Sequence, residues 1–256
     1  MIGRAPLQDE YLEWNRTWGA PYGRGPSAMV SFRRRLEKVD PDAYGPFAFQ
    51  AQRGLKTFQY PWAYFTAGVR PGMRVMLSGE GLGGFQFVLA MNGLQVVNVD
   101  PTAAGEPARA HARINRAFGT DVRLVTDLSE AAALEQGSFD RVFLLSTLDH
   151  LGERAGRAVL ESSAALLAPG GLCLITADLL LHLRPLGVLP EGPAERNVDL
   201  RRLTDGLGLE LAHGDPRELY GFPEFDRGRV VEMLPEMFVG PFYPSVSQTA
   251  VLGKPG

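Results

Sequence analysis

From residue 73 onward, short runs of apolar residues alternate with longer stretches in which apolar positions recur every three or four residues. The runs, rich in Val, Leu, Ile and Phe, predict strands at 73–78, 95–99, 121–125, 139–145 and 170–177. The stretches between them predict helices near 83–92, 107–118, 129–135 and 153–167. Strict alternation of strand and helix predicts a parallel sheet covered on both faces. Pro-Gly-Gly at 169–171 should stop the last of these helices and turn the chain into the fifth strand. Residues 178–197, with Pro185, Pro190, Gly192 and Pro193, read as a long loop of the lid or substrate-binding kind. The tail predicts a helix at 198–206, a strand at 208–213, a helix near 226–237 and a last strand at 244–252.

The first 70 residues have another texture, with aromatics and prolines but no apolar run of strand length. Leu7, Tyr11, Trp14 and Trp18 are spaced by four, three and four, which places them on one face of a helix that starts at Pro6. Such a face either packs on the main domain or, through Tyr11 and Trp14, roofs a substrate pocket. Segments 45–50 and 60–65 are expected to flank further helices. The division that follows is a helical cap over 1–69 and an α/β domain over 70–256.

Composition narrows the classes little. The chain has 256 residues, 45% of them hydrophobic, enough for one large core with a small cap. A net charge of -3 gives no general attraction to nucleic acid, and Arg33, Arg34 and Arg35 read as a solvated helix face. Cys173, the lone cysteine, excludes an intrachain disulfide and reads as a buried strand residue. No stretch approaches the roughly 18 apolar residues of a membrane span, and the start lacks a secretory signal. A cytoplasmic protein, monomer or homodimer, with neither membrane nor nucleic-acid partner and no metal, is expected. The dominance of arginine over lysine suggests a GC-rich, bacterial source.

The chemistry lies at the first strand. Residues 73–84 run from apolar strand into Ser-Gly-Glu-Gly-Leu-Gly-Gly, and the second strand ends on Asp100, about 20 residues on, the spacing at which a carboxylate meets a ribose. Gly79, Gly81 and Gly84 spell G-x-G-x-x-G of dinucleotide sites, whereas Gly79, Gly81 and Gly83 spell G-x-G-x-G.

Two further segments separate these spellings. Ser-Phe-Asp-Arg-Val-Phe-Leu-Leu-Ser-Thr-Leu-Asp-His-Leu at 138–151 and Leu-Leu-Ala-Pro-Gly-Gly-Leu-Cys-Leu-Ile-Thr at 166–176 resemble the fourth strand and the turn before the fifth in class I S-adenosylmethionine-dependent methyltransferases. The resemblance covers about residues 70–178. It implies a Rossmann-like seven-stranded fold, mostly parallel with an antiparallel last strand, for which residues 208–252 would supply the closing pair. It also implies roles for residues. Gly79, Gly81 and Gly83 would pass close to the methionine part of S-adenosylmethionine, Asp100 would accept from both ribose hydroxyls, and Pro101 would pack on the adenine. Asp127 would take the adenine amino group, with Leu128 beside the ring, or else cap a helix. Ser146 would meet the methionine ammonium.

Two positions depart from the family. Leu77 stands where an acid is usual, and Glu80 stands between the first two glycines, where a small residue is usual. The Glu80 carboxylate would repel the cofactor carboxylate, replace the missing acid at its ammonium, or point into solvent. His150, following the fourth strand, is the candidate base. Asp149 would orient it or cap the next helix. His182 and Arg184, in the long loop, are further substrate-binding candidates. The resemblance implies methyl transfer; the hydrophobic cap, the modest negative charge and the lack of a nucleic-acid module favour a small-molecule acceptor, with oxygen or carbon preferred over nitrogen because no Asn-Pro-Pro-Tyr type of motif follows the fourth strand, and a place in secondary metabolism is expected. The alternatives are an enzyme of this fold that no longer transfers methyl and a non-catalytic partner subunit.

Overall fold

A computed structural model describes residues 1–24, 44–49, 54–180, 197–240 and 245–256. The chain divides into two compact units, residues 9–134 and residues 1–8 with 135–256. The strands form one seven-stranded sheet in the order β3-β2-β1-β4-β5-β7-β6.

The unit of residues 9–134 contains α1 (Asp9–Trp18), α2 (Lys56–Ala67), β1 (Arg74–Ser78), α3 (Gly84–Met91), β2 (Gln95–Val99), α4 (Glu106–Phe118), β3 (Arg123–Val125) and α5 (Leu128–Ala132). β1 pairs parallel with β2, and β2 with β3. The central three positions of both β1 and β2 are buried without alternation, as expected of strands covered on both faces.

α1 starts at Asp9 rather than at Pro6, with Asp9 and Glu10 in its first turn, where carboxylates complement the helix dipole. Its buried face carries Tyr11, Trp14 and Asn15. Tyr11 stacks on Phe65 at 5.7 Å, and Trp14 packs against Phe47, Tyr64 and Phe85. The rings of Tyr11 and Trp14 are 7% and 5% exposed, so the packing role read for this face accounts for what they touch.

Residues 60–65 lie inside α2 and do not flank it, with Pro61 in the helix interior. Proline has no N–H to give to the carbonyl four residues back, which here belongs to Thr57. That carbonyl takes the Asn15 side-chain amide instead, at 2.8 Å, so α1 repairs the defect in α2. Asn15→Ala would orphan a partly buried acceptor and is expected to destabilise the fold by about 1 kcal/mol, read as a lower urea midpoint.

The second unit contains β4 (Phe139–Leu145), α6 (Glu153–Leu166), β5 (Leu167–Leu180), α7 (Leu200–Thr204), β6 (Glu210–His213), α8 (Arg227–Glu232) and β7 (Ser245–Gly253). β4 and β5 are parallel, while β7 lies antiparallel between β5 and β6. β5 is longer than its apolar run, because Pro169 and Gly170 form an irregularity within it. Phe139 pairs Leu167, the register then shifts, and Arg141 pairs Leu172. Lys254 holds the irregularity, donating from Nζ to the carbonyls of Ala164 and Leu167. The helix expected at 226–237 breaks into α8 and a 3-10 turn at Leu234–Glu236, as Pro235 dictates.

Residues 1–8, read from sequence with the cap, pair with this unit. Ile2 bridges Gln248 antiparallel, its N–H donates to the buried Glu218, and Glu218 also holds Arg4. Ile2 packs with Leu179, Val230, Met237 and Val246. Cys173 is buried in β5, and burial pushes its thiol up to about 12, which leaves it inert. Arg33, Arg34 and Arg35 and most of the 178–197 loop lie outside the described residues. No helix among the described residues is long and apolar enough to cross a membrane.

Candidate functional site

Register builds the site's main edge. Ser78 pairs Val99, and Val99 pairs Val125, so β1, β2 and β3 end at one level. The Gly79 N–H donates to the Val99 carbonyl and the Asp100 N–H to the Val125 carbonyl, at 3.0 and 2.9 Å. The glycine turn, Asp100 with Pro101, and Asp127 with Leu128 therefore emerge side by side at the C-terminal edge of three parallel strands, where open α/β sheets bind ligands.

Asp100 is 3% exposed and organises this edge. Its Oδ2 accepts the Gly81 N–H at 2.9 Å, while Oδ1 accepts the N–H and the hydroxyl of Thr102 at 2.9 and 2.6 Å. Three of a carboxylate's four acceptor positions are used, so a ribose diol gains its second only when the Thr102 hydroxyl turns away. Asp127 caps α5. Its Oδ1 accepts the N–H groups of Ser129 and Glu130 and the Ser129 hydroxyl, and the Ser129 bonds hold its carboxyl below the usual range. Beside it Leu128 is 70% exposed, unusual for a leucine in a folded unit. Pro101 is exposed as well, at the start of a 3-10 turn.

The two overlapping glycine spellings have different causes. A Cβ on Gly84 would lie 2.6 Å from the Phe47 ring, so this glycine serves the packing of residues 46–49 on α3. A Cβ on Gly83 would lie 2.0 Å from Glu80 Oε1. The Glu80 side chain thus folds back across the turn, and the alternative in which it points into solvent is not what the structure adopts. Tyr60 donates its hydroxyl to Glu80 Oε1 at 3.0 Å. Burial raises the Glu80 carboxyl, opposed by Lys56 and Tyr60 and reinforced by Asp100. Leu77 is buried in β1 at 1% exposure, part of the core.

Behind the turn runs a buried polar chain. Gln86 donates to the carbonyls of Gly81 and Gly83, both at 3.0 Å, and its Oε1 meets Asn98 Nδ2 and His111 Nε2, also at 3.0 Å. Asn98 Nδ2 reaches the Gly81 carbonyl at 3.2 Å. Burial pushes His111 down to about 4, so it is neutral near pH 7. Sequence reading passed over these residues, although Gln86 inside Phe-Gln-Phe and Asn98 inside Val-Val-Asn-Val are polar interruptions of apolar runs. Tyr60 was missed for the opposite reason, since it sits in an aromatic segment that looks like packing.

In the second unit, Ser146 follows β4 with φ 50°, and among the described residues only this non-glycine has positive φ. Its N–H donates to the carbonyl and the hydroxyl of Thr176, at 2.9 and 3.0 Å, and its hydroxyl lies 3.4 Å from Asp178 Oδ1. Left-handed backbone in a serine is costly and is retained where the surroundings fix it. Asp149 does not cap the next helix, whose N-cap is Gly152; its Oδ1 accepts the Asp178 N–H at 3.1 Å and ties the turn to β5. His150 ends a 3-10 turn with an exposed side chain. His182 and Arg184 lie outside the described residues. Among the described residues no group of three or more His, Cys, Asp or Glu side chains is placed to hold a metal.

Residues 77–175 match the family model of a methyltransferase domain. No curated protein is detectably similar in sequence. Among solved structures, YcgJ of Bacillus subtilis is similar at 15% identity and TM-score 0.54, covering 77% of this chain and 98% of its own. A putative sarcosine dimethylglycine methyltransferase from Galdieria sulphuraria is similar at 14% identity and TM-score 0.53, covering 97% and 99%. Magnesium protoporphyrin IX methyltransferase from Synechocystis, solved with bound S-adenosylhomocysteine, is similar at 18% identity and TM-score 0.50, covering 96% and 95%. The likeness of these structures is one of fold, and it agrees with the strand order and with the matched segment from β1 into β5. Residues 77–175 are thus similar to a methyltransferase domain, and the chain shares its fold with solved S-adenosylmethionine-dependent methyltransferases.

Proposed function

We propose that the chain binds S-adenosylmethionine at the C-terminal edge of β1, β2 and β3 and serves methyl transfer to a small-molecule acceptor, oxygen or carbon in preference to nitrogen. The carrying observation is the register that brings the glycine turn, Asp100 and Leu128 to one edge. The residues fit that cofactor. Asp100 is an acceptor-only group for a ribose, and the exposed faces of Pro101 and Leu128 suit a flat adenine, with the capped Asp127 beside them for its amino group. Ser146, held left-handed, offers its main chain to the methionine ammonium. Glu80 has to move, because its carboxylate occupies the face of Gly83 that a ligand would approach. Swung outward, it meets the ammonium in place of an acid at position 77.

The bound sulfonium supplies an already activated methyl group, so the chain's work is alignment and the handling of the acceptor's proton. His150, exposed after β4, is the base proposed to take that proton. Tyr11 and Trp14 are spent on the aromatic cluster, which leaves His182 and Arg184 as the remaining candidates for acceptor contact.

Calorimetric titration with S-adenosylhomocysteine tests the cofactor assignment. Saturable binding is expected, and no heat up to millimolar ligand would overturn it. Transfer of labelled methyl to an acceptor panel tests the reaction. Binding without transfer would favour an enzyme of this fold with another activity, the reading that the position of Glu80 supports.

A further inference from the structure

We infer that Gln86, Asn98 and His111 form a buried clamp that fixes the glycine turn for ligand binding, with His111 as a positioning residue acting through Gln86. The inference rests on the reading of this edge as the S-adenosylmethionine site.

The bonds leave the clamp one orientation. Both amide hydrogens of Gln86 go to carbonyls, those of Gly81 and Gly83, so its oxygen faces the other way. That oxygen accepts from Asn98 Nδ2 and must accept from His111 Nε2. Every capacity of the Gln86 amide is then satisfied. His111 has to carry its proton on Nε2, and burial keeps the ring otherwise neutral. Gln86 and Asn98 are fully buried and His111 is 2% exposed, so water does not compete for these bonds. Asn98 contributes at a cost, since its own Oδ1 has no hydrogen-bond partner among the described residues.

The consequence concerns the turn's two faces. With the carbonyls of Gly81 and Gly83 drawn toward α3, the Gly81 N–H is left to Asp100 at 2.9 Å. Glycine loses more conformational freedom on ordering than any other residue. A turn left free would charge that loss to ligand binding, whereas the clamp charges it to folding, which is preorganisation. Phe87 packs on His111 with ring centroids 5.1 Å apart and keeps the imidazole in place.

The test pairs His111→Phe, which keeps the ring and removes the donor, with His111→Gln, whose amide restores a donor at the level of Nε2. With S-adenosylhomocysteine as probe, well below the melting temperature, H111F is expected to bind about tenfold more weakly and H111Q close to the unsubstituted protein. A lower melting temperature in H111F with unchanged affinity would overturn the proposal. Hydrogen exchange at 79–84 needs no ligand: faster exchange in H111F, with 95–99 unchanged, supports the clamp, and equal rates overturn it. Should the unsubstituted protein bind no S-adenosylhomocysteine, the proposed function falls and exchange alone decides the clamp. If H111F does not fold, nitrogen-15 shifts of His111 in the unsubstituted protein decide. An Nε2–H tautomer supports the clamp, and an Nδ1–H tautomer removes its bond to Gln86.

Discussion

Gly81→Val is expected to weaken S-adenosylhomocysteine binding by about a hundredfold while the far-ultraviolet circular dichroism stays unchanged. Gly81 has φ 58°, a conformation that costs an L-residue about 1–2 kcal/mol and a β-branched one more. The free variant escapes by relaxing the turn to negative φ. The Gly81 N–H then leaves Asp100, and a charge-assisted bond is worth about 1.5–3 kcal/mol. Ligand binding has to restore both, about 3 kcal/mol in all, which is the hundredfold. Calorimetric titration measures it, and an unchanged affinity would mean that the turn does not touch the ligand.

Asp100→Ala is expected to abolish measurable binding and to destabilise the protein by about 1–3 kcal/mol. It removes the acceptor proposed for the ribose and also strands two donors, the N–H groups of Gly81 and Thr102. Asp100→Asn helps to separate the two effects, because it keeps the shape and its one oxygen still accepts one of the two N–H groups. A smaller loss of stability than in Asp100→Ala, with binding as strongly weakened, assigns the carboxylate to the ligand. Equal losses in both variants would assign it to the fold alone. Urea unfolding and titration on the same samples provide the comparison.

The parallel part of the fold was legible because its strands are largely buried on both faces and therefore read as predominantly apolar runs; β2 and β4 start and stop where those runs do. The full length of β5 was not, because Pro-Gly-Gly reads as a turn before the strand, whereas Lys254 holds it as an irregularity within the strand. The same limit applies to the site. Asp100 announced itself by its distance from the glycines, a local relation. The partner of Glu80 is Tyr60, twenty residues away in an aromatic helix. The reason for Gly84 is Phe47, in a segment with no regular pattern. Leu77 was noticed as a missing acid, and its near-complete burial explains why β1 carries a hydrocarbon there.

The attachment of residues 1–8 to β7 has a kinetic meaning. The Gly3 N–H bonds to the Ser247 carbonyl and the Ile2 N–H to Glu218, across 216 residues for the second pair. Synthesis proceeds toward the C-terminus, so Ile2 waits for a partner made 216 residues later, while residues 9–134 meet all of their own unit in one continuous stretch. Contacts of such separation form slowly, since chain closure must precede any gain from them. The contacts internal to residues 9–134 thus need nothing from β7, and the closing of β7 over residues 1–8 becomes a late event in the life of each molecule.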